Sequence, residues 1–414
     1  MSKIKIKNFG PIKEGCLEND GWMDIKKVTV FIGNQGSGKS TVAKVISTMT
    51  WMEKAINRGD IATPKSIKDF QKHFKYQSLI DYFKSDTSIE YYGDAYIIIF
   101  NKEDSPYPIV KKNESRDYIV PKIMYVPDSR NFLSVIKNAT GVRGMPDPLF
   151  EFAEELKRGQ IDTKGEEIPL PINGVSYKYE SESDTSFIIG KDFKVNLLIA
   201  SSGFQSLVPL FLVSSSLAHI VKSGSELSPA NISVDQSIRM NNEISTIMLN
   251  NKLADVEKLK NVETVKAKFQ NKAFINIVEE PEQNLFPTSQ QQILYSLLAF
   301  NNLNEGNKLI MTTHSPYLIN YLTLAVKANS VYKMLKEKKY KLSDPEFGYT
   351  NEIVPMSSTL NSDDLDIYEL DETEGTIKKL GDFEGIPSDK NFLNKSLSKA
   401  NLLFDSLLEI EEEL

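Results

Sequence analysis

The sequence predicts an α/β fold with a mainly parallel sheet, and three observations carry that reading. Residues 28–47, "VTVFIGNQGSGKSTVAKVIS", run from an apolar strand through a glycine-rich bend into a helix. Two further compact apolar runs, "KAFINIV" (272–278) and "KLIMT" (308–312), are each followed by a polar or charged cluster and then a helical pattern. Apolar residues make up 40% of the 414, enough to bury a large core.

Taken in chain order, Lys3, Lys5 and Lys7 alternate with Ile4 and Ile6, so residues 3–9 read as a strand, and 26–32 as a second that ends at the glycine bend. A helix follows over 41–58. Residues 88–100, with "IEYYGDAYIIIF", are β-branched and aromatic around a Gly-Asp turn, which predicts a hairpin. In "KIMYVPDSRNF" a short buried strand over 123–126 is stopped by Pro127. Turn residues and short alternating runs over 158–195 suggest more strands, hence an antiparallel β subdomain. The apolar run 204–221, "FQSLVPLFLVSSSLAHIV", is broken by Gln205, serines and His219 and reads as a buried helix rather than a bilayer crossing. Between 222 and 272 a polar stretch carries Ile238, Ile244, Ile247, Met248, Leu253, Val256 and Leu259 at roughly helical spacing, which predicts a helical insertion. Residues 367–370 and 376–380 read as a hairpin across an acidic, glycine-containing turn; this is preferred to a metal pair at Asp364 and Asp366. The tail from 388 is an amphipathic helix ending in "EIEEEL". The expected division is a head over 1–330 and a closing segment over 331–414.

A net charge of −7 argues against bulk attraction to nucleic acid or an anionic membrane, and the basic run "KMLKEKKYK" reads as a solvated face. Cys16 is the only cysteine, which excludes an intramolecular disulfide and a cysteine-built metal cluster. The N-terminus lacks the apolar core of a secretory signal, so the expected location is cytoplasmic.

Gly33, Gly38, Lys39 and Ser40 fit Gly-x-x-x-x-Gly-Lys-Ser after a strand and at a helix start, the context that the motif requires. Glycines let the backbone of Gly33, Asn34, Gln35, Gly36, Ser37 and Gly38 curl so that N–H groups point at phosphate, and the helix N-terminus with Thr41 adds a favourable partial charge. Lys39 would reach the β and γ phosphates of a nucleoside triphosphate, and the Ser40 hydroxyl would ligate Mg²⁺. "FINIVEEPEQNLFP" puts Glu279 and Glu280 at the carboxyl end of a strand, where ligands of a parallel sheet collect. Glu279 stands where Mg²⁺ or its water needs an acid, and Glu280 where an attacking water would be polarised. His314 ends the next strand, before Ser315 and Pro316 open a helix, and is placed to contact a γ phosphate.

These residues resemble the ABC-type ATPase heads of the RecF, SMC and OLD group over about 1–321. "ASSGFQSLVPL" resembles their signature LSGGQ, with Ser202, Gly203 and Gln205 matching and Phe204 in place of a glycine. The resemblance implies a P-loop NTPase fold of ABC-head type with a mixed sheet. It also implies a head-to-tail dimer, in which the signature of one copy contacts the γ phosphate held by the other; Asn284 and Leu285 would read across that interface. Glu279 departs from the family's usual Asp. "YVPDSR" resembles a Pro-x-x-Arg element of small OLD relatives; Arg130 is thereby a candidate of open role, with an ordinary surface arginine as the alternative. Gln71 and Gln77 are both available as the glutamine loop.

The interval from Ser202 to Glu280 is long for a transporter head, no SMC coiled coil is present, and about a hundred residues after His314 are too few for an OLD-type Toprim domain plus the end of the head. What remains resembles the stand-alone ATPases of two-gene antiphage systems, AriA of PARIS more than PtuA of Septu. That resemblance implies a sensor or scaffold for a separately encoded effector, a Toprim-like or HNH nuclease. A RecF/SMC-like repair ATPase acting on DNA is the alternative.

Overall fold

The computed structural model describes residues 2–101, 107–114, 118–225, 234–250 and 253–413. At its centre is a seven-stranded mixed sheet in the order Gly15–Cys16, Thr376–Lys379, Leu365–Leu370, Val28–Gly33, Lys308–Thr313, Ala273–Glu279, Pro121–Val126. The last five run parallel; Thr376–Lys379 is antiparallel to its neighbour Leu365–Leu370. Val28–Gly33 and Ala273–Glu279 are buried at every position, which is why both read as unbroken apolar runs rather than alternations.

Successive side chains of these strands point to opposite faces and feed two cores. Val28, Val30, Ile32, Phe274, Val278, Leu309 and Met311 pack under the helices Ser202–Ser223, Pro287–Asn301 and Pro316–Glu337. Phe31, Ile275, Ile277 and Ile310 pack under the helix Lys39–Arg58 and an antiparallel sheet that includes Lys3–Phe9, Phe83–Tyr92 and Tyr96–Asn101. The expected hairpin is the pair Phe83–Tyr92 and Tyr96–Asn101, turning at Gly93 and Asp94. A second antiparallel sheet of four short strands, Glu167–Pro169, Ser176–Glu180, Thr185–Ile189 and Lys194–Asn196, forms a subdomain beside the helix Asp147–Asp162. That helix takes residues 158–162, where the sequence suggested strand.

The helix Ser202–Ser223 is long and apolar enough to cross a membrane, and 61% of its apolar window is buried inside the fold. The insertion contains two helices, Val234–Met248 and Asp255–Phe269; residues 226–233 and 251–252 of the predicted stretch lie outside the described residues. Asp366 is buried and paired with Lys379 Nζ at 2.7 Å within the Leu365–Leu370 and Thr376–Lys379 hairpin, so it stabilises that hairpin. Among the described residues, no group of three His, Cys, Asp or Glu side chains is arranged to hold a metal ion.

Candidate nucleotide site

The glycine bend joins the strand Val28–Gly33 to the helix Lys39–Arg58 at the carboxyl edge of the sheet. Gly38 has φ 99°, and a Cβ there would stand 2.6 Å from Ile12 Cδ1; at Gly33 it would stand 2.4 Å from the carbonyl oxygen of Leu370. Both glycines are therefore required by close packing as well as by the turn. Lys39 is 5% exposed, and its ammonium donates to the carbonyls of Gly33 (2.9 Å) and Asn34 (2.8 Å). Burial lowers its pKa from the ordinary 10.5 to about 8, against the opposing pull of Glu280, Glu282, Glu372 and Glu279. Asn34 donates to Glu372 Oε1 at 2.8 Å, from the turn after Leu365–Leu370. Ser40 and Thr41 occupy the first turn of the helix.

The neighbouring strands bring their ends to the same edge. Leu370 is in register with Gly33, Thr313 with Ile32, and Glu279 with Thr312. Glu279 is buried, and its Oε2 accepts from the Asp128 N–H at 3.3 Å. Glu280 turns into the left-handed region at φ 44°, an uncommon backbone state for a residue with a long side chain, and such states gather at functional sites. Its N–H donates to the Thr312 carbonyl at 2.9 Å, and its Oε1 lies 3.4 Å from His314 Nε2. That hydrogen bond holds the Glu280 carboxyl below the usual range despite partial burial. Glu282, which the sequence reading passed over, accepts at Oε1 from Thr313 Oγ1 and from the His314 N–H, both at 2.7 Å. Burial pushes its pKa up. Glu282 thus fixes the backbone that carries His314; the third acid of "EEPE" was its only trace in the sequence.

A family model described as an AAA ATPase domain matches residues 1–168 and 146–319. The chain belongs to that family. Its fold is α/β with a mixed, mainly parallel central sheet and a phosphate loop, and it is an ATPase of this family. No curated protein matches the chain. Among solved structures, it is similar to the SMC head domain from Thermotoga maritima, with 9% identity, 92% of this chain and 98% of that chain covered, and a TM-score of 0.37. It is also similar to the ATP-binding cassette MJ0796 in a post-hydrolysis dimer bound to ADP and Pi, with 13% identity, coverage of 92% and 100%, and a TM-score of 0.32. A third is the Smc head domain with an extended coiled coil bound to the C-terminal domain of ScpA, derived from Pyrococcus furiosus, with 9% identity, coverage of 98% and 100%, and a TM-score of 0.38.

In this AAA ATPase the signature-like segment opens the helix Ser202–Ser223, with Ser202 exposed at its N-terminus. A Cβ on Gly203 would come within 3.0 Å of the Asn284 carbonyl, and Asn284 Nδ2 donates to Ser206 Oγ at 2.9 Å. The segment after Glu280 is therefore docked on the start of this helix. Gln205 Nε2 donates to the carbonyls of Leu197 and Leu198 at 3.2 and 3.0 Å. Pro209 lies within the helix and has no N–H to give the carbonyl of Gln205, four residues earlier; Ser134 Oγ donates to that carbonyl at 2.7 Å instead.

Ser134 belongs to the 3₁₀ run Asp128–Ser134, which also carries Arg130. Arg130 is fully buried, so the surface-arginine alternative falls. Its guanidinium donates to the carbonyls of Glu279 and Glu280, both at 2.7 Å, and of Pro127 and Ser206, both at 3.2 Å. Burial lowers its pKa to about 10, which leaves it charged at neutral pH. One side chain thus ties the end of the acidic strand to the signature-like helix. Gln77 is buried, with Nε2 3.3 Å from Ser47 Oγ, whereas Gln71 ends the short helix Ile67–Gln71.

The residues present suit a divalent cation. Glu279 Oε1 and Ser37 Oγ are buried without hydrogen-bond partners, and the negative charges of Glu280, Glu282, Glu372 and Glu279 all act on the Lys39 ammonium. Added positive charge would let that edge accept a polyphosphate.

Proposed function

We propose that the chain binds and hydrolyses ATP at this edge and works as a head-to-tail pair. The observation that carries the reading is the meeting of the Lys39 loop, the Glu279–Glu280 strand end and His314, with Glu280 3.4 Å from the His314 ring. Lys39, now resting on its own loop carbonyls, exchanges them for β and γ phosphate oxygens, and N–H groups of the loop and of the helix start donate to the same oxygens. Glu280, held ionised, orients and polarises the attacking water; His314 lies beside it to contact the γ phosphate. Ser40 and Glu279, directly or through water, would hold Mg²⁺, which when bound neutralises charge on the phosphates. Ser202 and Gly203 of one copy close on the γ phosphate bound by the other, with Gln205 bracing the loop before them and Asn284 and Leu285 alongside.

The output in this reading is control of a separately encoded effector, a Toprim-like or HNH nuclease, by a cytoplasmic sensor or scaffold in antiphage defence. The motif resemblance supports it, and the long interval from Ser202 to Glu280 counts against a transporter head. The test is to purify the chain with the products of its neighbouring genes, with and without ATP, and to measure turnover with and without DNA. A nuclease that co-elutes in a nucleotide-dependent way supports the reading. DNA-stimulated turnover with no such companion would replace it with the repair reading.

A further inference from the structure

The strand Pro121–Val126 runs parallel to Ala273–Glu279, with Tyr125 in register with Ile277. Glu279 comes two residues after Ile277, so the pleat puts it on the same face as Tyr125. That face packs under the helix Lys39–Arg58, whose first turn holds Ser40. Two strand residues span about 6.6 Å, a distance that a tyrosine and a glutamate side chain close between them. Both are buried, Tyr125 at 4% and Glu279 at 3% exposure. Tyr125 Oη and Glu279 Oε1 are each buried with no hydrogen-bond partner. The two atoms are complementary, since the phenol has a proton to give and the carboxylate oxygen can only accept. The other carboxylate oxygen, Oε2, is held by the Asp128 N–H at 3.3 Å, three residues after Tyr125. Glu279 is thus pinned at one oxygen and open at the other.

A glutamate has three side-chain torsions, the last of them broad, so a single hydrogen bond leaves the plane of its carboxylate unfixed. A divalent cation needs its oxygens in set positions, and groups behind the ligating side chain supply that order. We infer that Tyr125 is a positioning residue for Glu279: when nucleotide and cation are bound, its O–H donates to Oε1 and, with the Asp128 N–H on Oε2, sets the carboxylate for the cation. The inference rests on the reading of this edge as an ATP and Mg²⁺ site, and it gives Tyr125 no contact with the nucleotide. Burial first, and then the Glu279 charge, push the pKa of the phenol well above the ordinary 10, so at neutral pH it keeps its proton and is always able to donate. A buried hydroxyl that serves the fold alone is paired within the fold. Tyr125 Oη and Glu279 Oε1 instead stay unmet in the nucleotide-free chain, an unfavourable state that the bound state relieves.

Isothermal titration calorimetry of ATP into the full chain carrying Glu280→Gln, once in EDTA and once with Mn²⁺, tests the inference. The ratio of the two dissociation constants is the cation's share of the affinity. Adding Tyr125→Phe should lower that ratio about tenfold or more, while the EDTA constant changes less than twofold. The urea midpoint should be unchanged or raised, because the ring stays and an unpaired hydroxyl goes. Adding Glu279→Gln instead should lower the ratio at least as far, and Tyr125→Phe on top of it should lower it no further, because Tyr125 acts through Glu279. A ratio that Tyr125→Phe leaves intact overturns the inference, as does a loss that adds in full to that of Glu279→Gln. A lowered urea midpoint with both constants weakened alike marks a structural hydroxyl and overturns it too. Each of these outcomes leaves the nucleotide reading standing. A Glu280→Gln chain that binds no ATP in either buffer refutes that reading, and the inference with it.

Discussion

Replacing Lys39 by Met should stabilise the nucleotide-free protein while removing its response to ATP. The ammonium is buried with its pKa lowered from 10.5 to about 8, so the folded state carries a penalty on the charged form of about 3 kcal/mol at neutral pH. Two hydrogen bonds to the Gly33 and Asn34 carbonyls offset part of it, at about 1 kcal/mol each. A net gain of about 1–2 kcal/mol is expected for Lys39→Met, which keeps the apolar stem; in a chain of this length that raises Tm by about 1–2 °C. The pH dependence has a defined sign. Between pH 8 and 10.5 the unfolded chain holds a proton that the folded one has released, so wild-type stability from this group rises with pH through that window, and the gap to Lys39→Met closes. With ATP at about a hundred times its Kd, the wild type should gain about 2.7 kcal/mol and the variant almost nothing. Differential scanning calorimetry across pH, with and without ATP, reads all three effects. A Lys39→Met chain that is less stable than wild type without nucleotide, or that gains as much from ATP, would refute the reasoning.

Glu280→Gln should bind ATP with near wild-type affinity yet turn it over about 10²–10⁴-fold more slowly, measured by phosphate release; unchanged turnover would remove Glu280 from the chemistry. His314→Ala deletes the hydrogen bond that holds the Glu280 carboxyl low, so the acid limb of the rate profile should move to higher pH; an unmoved limb would mean that the 3.4 Å contact does not set the Glu280 pKa. Arg130→Ala should destabilise the fold by about 3–5 kcal/mol in urea titrations, because it opens a cavity and strands the carbonyls of Glu279, Glu280 and Ser206; a loss below about 1 kcal/mol would contradict the clamp.

Local chemistry explains how much of this was readable beforehand. The phosphate loop depends on glycines, one lysine and one serine within eight residues, flanked by a strand and a helix, so sequence alone places it. The strand ends at Glu280 and His314 were legible for the same reason, since unbroken apolar runs mark buried parallel strands. Arg130 was not legible. Its partners are backbone carbonyls up to 150 residues away, and a carbonyl has no sequence signature. The hairpin at 365–379 was legible as a hairpin, but its parallel pairing with Val28–Gly33, which sets Leu370 against Gly33, depends on a long-range register that local pattern does not encode. Helical spacing in the insertion was likewise visible, while the exposure of Ile238, Met248, Val256 and Leu259 depends on which surfaces the rest of the fold leaves open.

The central claim is that ATP bound by one copy is sealed by the exposed Ser202 of another. Mixing a Ser202→Cys chain with a differently tagged Gln35→Cys chain, both carrying Glu280→Gln, and adding a short bifunctional thiol reagent tests it directly; the lone native cysteine, Cys16, is buried. A cross-link joining the two tags that forms with ATP and not with ADP is predicted. Cross-linking indifferent to nucleotide, or none between the tags at saturating ATP, would contradict it.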